Sequence, residues 1–334
     1  MDLNRIWQSG VEKKLWYGAV VYVGNAEHVF FRCAGGLAWP DDNLPMLEDS
    51  VFDIASVTKA VGTATLAAML YGRGQLDFDA PFTRYLPEYR GYLFLPVTVR
   101  ELALHISGFH NDKPYLAVKE GRLMRSAVME ISPSKPPGGA FEYACVNYLL
   151  LGYIIEAITG ESLAEAANQM IFKPLGMQNT VWGKMVNPDQ RLCVKMLNAE
   201  KRGCISDAAA QLSNRPAGNA GIFSTAGDLA RFCRMMLSGG RGLLTPEAYN
   251  ALTTDCMPPV IRHPHSAGWD MSEEFRPSGL SAATVYHSGW TGQTVWIDPE
   301  KQLYVIVLTN RIGDWMEAKK HRLQLAEAVL SESR

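Results

Sequence analysis

The chain has 334 residues, of which 47% are hydrophobic and 20% charged, with a formal net charge of −2 at pH 7. That length can bury a large core as one big domain or two, and the composition is ordinary for a globular protein. The charge gives no electrostatic basis for nucleic acid or an anionic membrane as partner, and no apolar run is long enough to span a bilayer.

The first residues, Met1 to Trp7, lack a basic stretch followed by an apolar one, so no signal peptide is expected and a cytoplasmic location follows. Residues 18–24 and 28–33 are β-branched and aromatic runs around Asn25-Ala26-Glu27, which predicts a hairpin. The alanine-rich apolar stretch 60–70 predicts a helix. Residues 76–103 are broken by Pro81, Pro87 and Pro96 into short helical pieces. Apolar spacing predicts a helix over 147–159, stopped by Gly160, and an amphipathic one over 228–237, ended by Gly239-Gly240. A second hairpin pairs 294–298 with 303–309, and a helix over 315–330 closes the chain. Its Lys319-Lys320-His321-Arg322 run reads as a solvated helix face.

Strands therefore concentrate at the two ends of the sequence. The expected fold class is mixed α/β (α+β): an antiparallel sheet flanked by helices, with a mainly helical part inserted. Residues 1–75 with 215–334 would form the sheet part and 76–214 the helical part of one domain, 1–334. The six cysteines (Cys33, Cys145, Cys193, Cys204, Cys233 and Cys256) have neither C-x-x-C nor zinc-type spacing, so reduced thiols are expected. His263-Pro264-His265 looks like a metal pair, but no nearby carboxylate or thiol completes it; a loop or strand-edge role is expected, with no metal and no cofactor.

Chemistry enters with Ser56-Val57-Thr58-Lys59 at the start of the predicted helix. Three residues apart on one helical face, the Lys59 ammonium can reach the Ser56 oxygen. A serine hydroxyl needs such a base before it attacks a carbonyl. Apolar flanks imply that Lys59 is buried, which would lower its pKa towards the neutral form. A second S-x-x-K, Ser132 to Lys135, is surrounded by Pro133, Pro136 and Pro137 and cannot be helical, so Ser132 is read as a loop residue. Templates based on G-x-S-x-G, H-E-x-x-H or a phosphate-binding loop find no match.

S-x-x-K is also the nucleophile motif of serine β-lactamases and penicillin-binding proteins. Tyr143-Ala144-Cys145, followed by Asn147-Tyr148, resembles the Tyr-x-Asn motif of the class C β-lactamase and family VIII-type esterase branch. His287-Ser288-Gly289 resembles its Lys-Thr-Gly or His-x-Gly motif. Leu104-His105-Ile106-Ser107-Gly108, the stretch ending Pro174-Leu175-Gly176-Met177, and Ala220-Gly221-Ile222-Phe223-Ser224-Thr225 resemble further family segments, in the same order. The resemblance implies a single catalytic domain of β-lactamase/transpeptidase-like fold, with the site between sheet and helical part. It implies Ser56 as nucleophile and Lys59 and Tyr143 as shared acid–base groups. It places the oxyanion hole at the Ser56 and Trp290 N–H groups, and substrate contacts at Cys145, His287, Ser288 and Gly289.

Two positions depart from the pattern. Cys145 replaces an asparagine whose amide both donates and accepts, where a thiol does either weakly. His287 replaces a fixed cation with an imidazole that is neutral near pH 7. Both changes point from β-lactams towards small neutral esters, amides or short peptides as substrates. The alternatives are a D-amino-acid peptidase or DD-carboxypeptidase, a class C-type β-lactamase, and a non-catalytic penicillin-recognition or assembly protein.

Overall fold

The structure, a computed structural model, describes residues 3–93, 95–117, 121–188, 192–213 and 215–332. In chain order its strands are β1 (Trp16–Gly24), β2 (Val29–Trp39), β3 (Leu44–Pro45), β4 (Phe52–Asp53), β5 (Val181–Trp182) and β6 (Ile222–Ser224), then β7 (His265–Ser266), β8 (Trp269–Asp270), β9 (Val285–Ser288), β10 (Gln293–Asp298) and β11 (Leu303–Arg311). Eight of them form one antiparallel sheet in the order β3-β2-β1-β11-β10-β9-β8-β7, so the two ends of the chain meet at the β1–β11 pair. The remaining three form a small sheet, β4-β6-β5.

The two central strands are apolar at nearly every position because both faces of the sheet are covered. With side chains alternating along a strand, Val20, Tyr22, Ile306 and Leu308 enter the main core, beneath the helix Ala226–Leu237. Val21, Val23, Val305 and Val307 enter a second core, closed by Leu325 and Val329 of the helix Trp315–Glu332. Pairing Val20 with Leu308 and Val21 with Val307 keeps each set on its own face; a slip of one residue would exchange them.

The last helix corrects the solvated reading of its basic run. It lies across the sheet, so residues three and four apart turn inward. His321 and Arg322 are buried, His321 against Trp16 and Arg322 donating from Nε to Thr294 Oγ1 at 3.2 Å, while Lys320 is exposed. Lys319 is half-buried and faces the cleft described below.

The helix expected after Ser56 begins irregularly. Lys59–Ala64 forms a wide i→i+5 turn before the α-helix Thr65–Gly72 starts. The Thr65 hydroxyl donates to Ala60 O at 2.9 Å and so occupies a carbonyl of the wide turn. Such wide turns recur at functional sites. Gly62 permits close packing here, since a Cβ on it would lie 2.7 Å from the Trp182 ring. The helix Cys145–Thr159 ends at Gly160 with φ 70°, in agreement with the sequence expectation. All six cysteines are free thiols, and no described helix is long and apolar enough to cross a membrane.

Candidate active site

Strand β4 delivers Ser56 through a strained turn. Ala55 has φ 47°, a left-handed conformation that costs a residue with a Cβ of order 1 kcal/mol or more. The buried carboxylate of Asp53 holds it there, accepting from Ala55 N at 2.9 Å, from Ser206 N at 2.7 Å and from Ser206 Oγ at 2.6 Å. Burial raises the Asp53 pKa against the pull of those three donors. One turn of 3₁₀ type follows, with Lys59 N donating to Ser56 O at 2.9 Å. Ser56 is half-buried and Lys59 wholly buried.

The expected contact is made: Lys59 Nζ donates to Ser56 Oγ at 3.0 Å and to Asn219 O at 2.8 Å. The Tyr143 ring centroid lies 5.0 Å from Nζ, and its phenol is near enough to Lys59 and Ser56 for both to act on its charge. Ser56, Lys59 and Tyr143 are therefore brought together. Ser132 lies in a loop, its Oγ accepting from Tyr92 N at 2.9 Å.

The protonation state differs from the sequence expectation. Burial pulls the Lys59 pKa down, but the acidic side chains of Cys145 and Tyr143, with the Tyr143 hydrogen bond, outweigh it and hold it above its ordinary value. Burial also raises the Tyr143 pKa, more than Lys59 lowers it. Ammonium and neutral phenol are thus the resting forms.

His105 positions Tyr143. It is buried in a left-handed turn (φ 57°), and its backbone O accepts from Glu142 N at 2.8 Å while its Nδ1 accepts from Ala144 N at 3.2 Å, clamping both neighbours of the tyrosine. Asn147 Nδ2 lies 3.0 Å from the same nitrogen, and two donors at Nδ1 assign the ring proton to Nε2. The ring packs on Tyr143 at 4.5 Å between centroids. Burial, then His265 and Lys59, push its pKa well below the usual histidine value.

Strand β9 forms the opposite wall. Gly289 packs so closely that a Cβ would lie 2.9 Å from Ile54 O and 3.2 Å from Ala55 Cβ. This approach brings Trp290 to the side of Ser56; among the described residues neither the Ser56 nor the Trp290 N–H has a hydrogen-bond partner. Arg311 Nε donates to Trp290 O at 2.6 Å and its guanidinium stacks on the Trp290 ring at 4.6 Å. His287 is buried, 6.3 Å from the Tyr143 ring, and burial with the Lys59 charge lowers its pKa to about 3, so it is neutral. Ser288 Oγ is 3.2 Å from Thr294 Oγ1. Cys145, also buried, begins the helix Cys145–Thr159, and its N–H donates to Asn111 Oδ1 at 3.1 Å. An amide thus stands beside position 145 although not on it.

These walls enclose a cleft of ≈ 360 Å³ lined by Ser56, Tyr143, His287, Ser288 and Trp290. A larger cavity of ≈ 580 Å³, lined by Trp182, Glu200, Gln211 and Arg215, contains none of these groups, so the chemistry assigns the site to the smaller one. Residues that the sequence reading did not place here also line the cleft: Phe141, His265, Asp270, Phe275 and Lys319.

The turn between β7 and β8 pairs His265 with Asp270, and His263 Nε2 lies 3.6 Å from Asp270 Oδ1. The carboxylate found wanting beside His263-Pro264-His265 is therefore Asp270, returned by a tight hairpin. Burial opposes its charge, but His263, His265 and the Ser272 N–H at 2.8 Å hold it well below the usual carboxylate range. Burial lowers the His265 pKa to about 4. Among the described residues no group of three or more such side chains is arranged to hold a metal ion.

A protein of Escherichia coli (strain K12), provisionally named D-alanyl-D-alanine carboxypeptidase, is 27% identical over 332 residues, covering 85% of this chain and 76% of that protein. The solved structure of EstCE1, a hydrolase with promiscuous acyltransferase activity, superposes with a TM-score of 0.80 at 22% identity, covering 98% of this chain and 97% of that one. A penicillin-binding protein homologue from Caulobacter crescentus gives a TM-score of 0.80 at 21% identity, covering 99% and 96%. These two share the fold. The family description "Beta-lactamase" matches residues 3–330, and the chain belongs to the β-lactamase family of serine hydrolases.

Proposed function

We propose that the protein hydrolyses esters or amides through an acyl-enzyme on Ser56. The observation that carries this reading is Lys59 Nζ at 3.0 Å from Ser56 Oγ with the Tyr143 ring 5.0 Å from the same Nζ. The active form has lost one proton from the Lys59–Tyr143 pair. The vacancy accepts the Ser56 proton as Oγ bonds to the substrate carbonyl carbon. The tetrahedral oxyanion is held by the Ser56 and Trp290 N–H groups, which have no other partner among the described residues. The proton passes through Tyr143 to the leaving alcohol or amine as its bond to carbon breaks. Water then repeats the sequence: it gives a proton to the pair, its oxygen bonds to the acyl carbon, and Ser56 leaves with that proton.

Of the substrate contacts expected from the sequence, His287 and Ser288 line the cleft, while Cys145 and Gly289 lie behind its lining. Cys145 is buried close to Lys59, and neutral His287 lines the wall beside Tyr143. A carboxypeptidase-like reading, with a peptide amide as substrate, is favoured by the 27% identical Escherichia coli relative. Six free thiols suit a reducing compartment, which supports a cytoplasmic setting.

Chromogenic esters, D-amino-acid anilides and a chromogenic cephalosporin, assayed side by side, test the reading. Turnover of at least one class, abolished in Ser56→Ala, is expected. Turnover that survives in that variant would contradict it.

A further inference from the structure

Lys319 stands in the cleft as a charge with no counter-charge in contact among the described residues. It comes from the last helix, four residues after Trp315, and lines the same ≈ 360 Å³ space as Ser56. Its Nζ lies 3.5 Å from the Phe275 ring centroid and 5.5 Å from that of Trp315. Among the described residues Nζ has no hydrogen-bond or ion-pair partner. An ammonium held against aromatic faces has its position fixed, yet those faces satisfy none of its three donors.

Two carboxylates share the cleft but do not take that place. Asp270 is engaged by the His263 imidazole and the Ser272 N–H, and Glu274 is exposed at the rim. Burial, opposed by Asp270 and Glu274, lowers the Lys319 pKa to about 8, which leaves it mostly charged at neutral pH. His287, the position at which the family resemblance implies a cation, is neutral and buried.

We propose that Lys319 is the specificity-determining cation of this site and selects substrates that carry a carboxylate. The inference rests on the acyl-enzyme reading and reverses the preference for neutral esters drawn from Cys145 and His287. The positive charge of the cleft has moved from the strand wall to the helix wall, where aromatic rings flank it. A carboxylate on a flat or aromatic group fits those surroundings.

Two matched pairs of esters test it. Meta-carboxyphenyl acetate against phenyl acetate puts the charge on the leaving group, and mono-para-nitrophenyl succinate against para-nitrophenyl butyrate puts it on the acyl group. Charge-assisted hydrogen bonds are worth enough for a preference of roughly tenfold to a hundredfold in kcat/KM. In at least one pair that ratio should collapse towards unity in Lys319→Met, survive in Lys320→Met, and be restored in part by Lys319→Arg. A ratio that is the same in wild type and Lys319→Met for both pairs overturns the proposal. So does a preference for meta-(aminomethyl)phenyl acetate, which would give the cleft to its acids.

Binding of the uncleaved esters to Ser56→Ala, read by calorimetry, separates the two claims. Tighter binding of a carboxylated ester, lost on adding Lys319→Met, supports the Lys319 assignment even if wild type turns over neither ester; that last result would defeat the acyl-enzyme reading instead.

Discussion

Gly289→Ala probes the architecture of the proposed oxyanion site without touching a reactive side chain. A Cβ there would lie 2.4 Å from Gln293 Oε1, 2.9 Å from Ile54 O and 3.2 Å from Ala55 Cβ. The Gln293 side chain can move, but Ile54 O belongs to the backbone that carries Ser56, so the two walls must separate. Overpacking of this kind typically costs about 1–3 kcal/mol. An unfolding entropy of about 2.1 cal/mol/K per residue gives about 0.7 kcal/mol/K for 334 residues. The expected fall in Tm is therefore only about 1.5–4 °C. Catalysis should suffer far more, because withdrawing one oxyanion donor typically costs about 10²–10³ in kcat.

Differential scanning fluorimetry and kcat on a para-nitrophenyl ester measure the two effects together. Gly227→Ala is the control, since a Cβ there meets nothing nearer than Thr225 Oγ1 at 3.8 Å. A Gly289→Ala protein that keeps kcat within threefold of wild type would refute the reasoning, whether or not its Tm falls.

The acid–base pair makes two further demands. Lys59→Ala and Tyr143→Phe should each lower kcat/KM by about 10²–10⁴-fold with the fold retained by circular dichroism; activity within a few-fold in either would rule out a shared base. Because both pKa values are raised, the pair keeps its extra proton at neutral pH, and kcat/KM should rise with pH through the neutral and alkaline range. A profile that falls as pH rises above neutral would show that the protonated pair is the active form.

The apolar runs 20–23 and 305–308 are local patterns and were legible as members of two hairpins at the two ends of the sequence, whereas the pairing of the two runs with each other is non-local. The contact of Ser56 with Lys59 was also readable, because three residues of turn suffice to bring them together. Tyr143 was reached through family resemblance, since nothing local distinguishes it from a core aromatic. Its clamp by His105, from 38 residues earlier, depends on how two loops cross and leaves no periodic trace.

Charge was the least legible property. Lys319 sits in a basic run that looks solvated until the helix is laid against the sheet, which turns Lys320 out and Arg322 in. The direction of the Lys59 pKa shift failed for a related reason. Burial was inferred from its apolar flanks, but the opposing influence of Tyr143 and Cys145 comes from residues more than eighty positions away. Asp270 was close enough in sequence to be found: the five-residue spacing from His265 across Gly268 suits a tight hairpin.

The central claim is that Ser56 alone is the activated nucleophile. Reaction with a fluorophosphonate probe, followed by proteolysis and mass spectrometry, tests it without knowledge of the natural substrate. The label is expected on the peptide containing Ser56, and to vanish in Ser56→Ala and fall sharply in Lys59→Ala. A label on Ser132 or Cys145, or equal labelling of Ser56 with and without Lys59, would contradict the account.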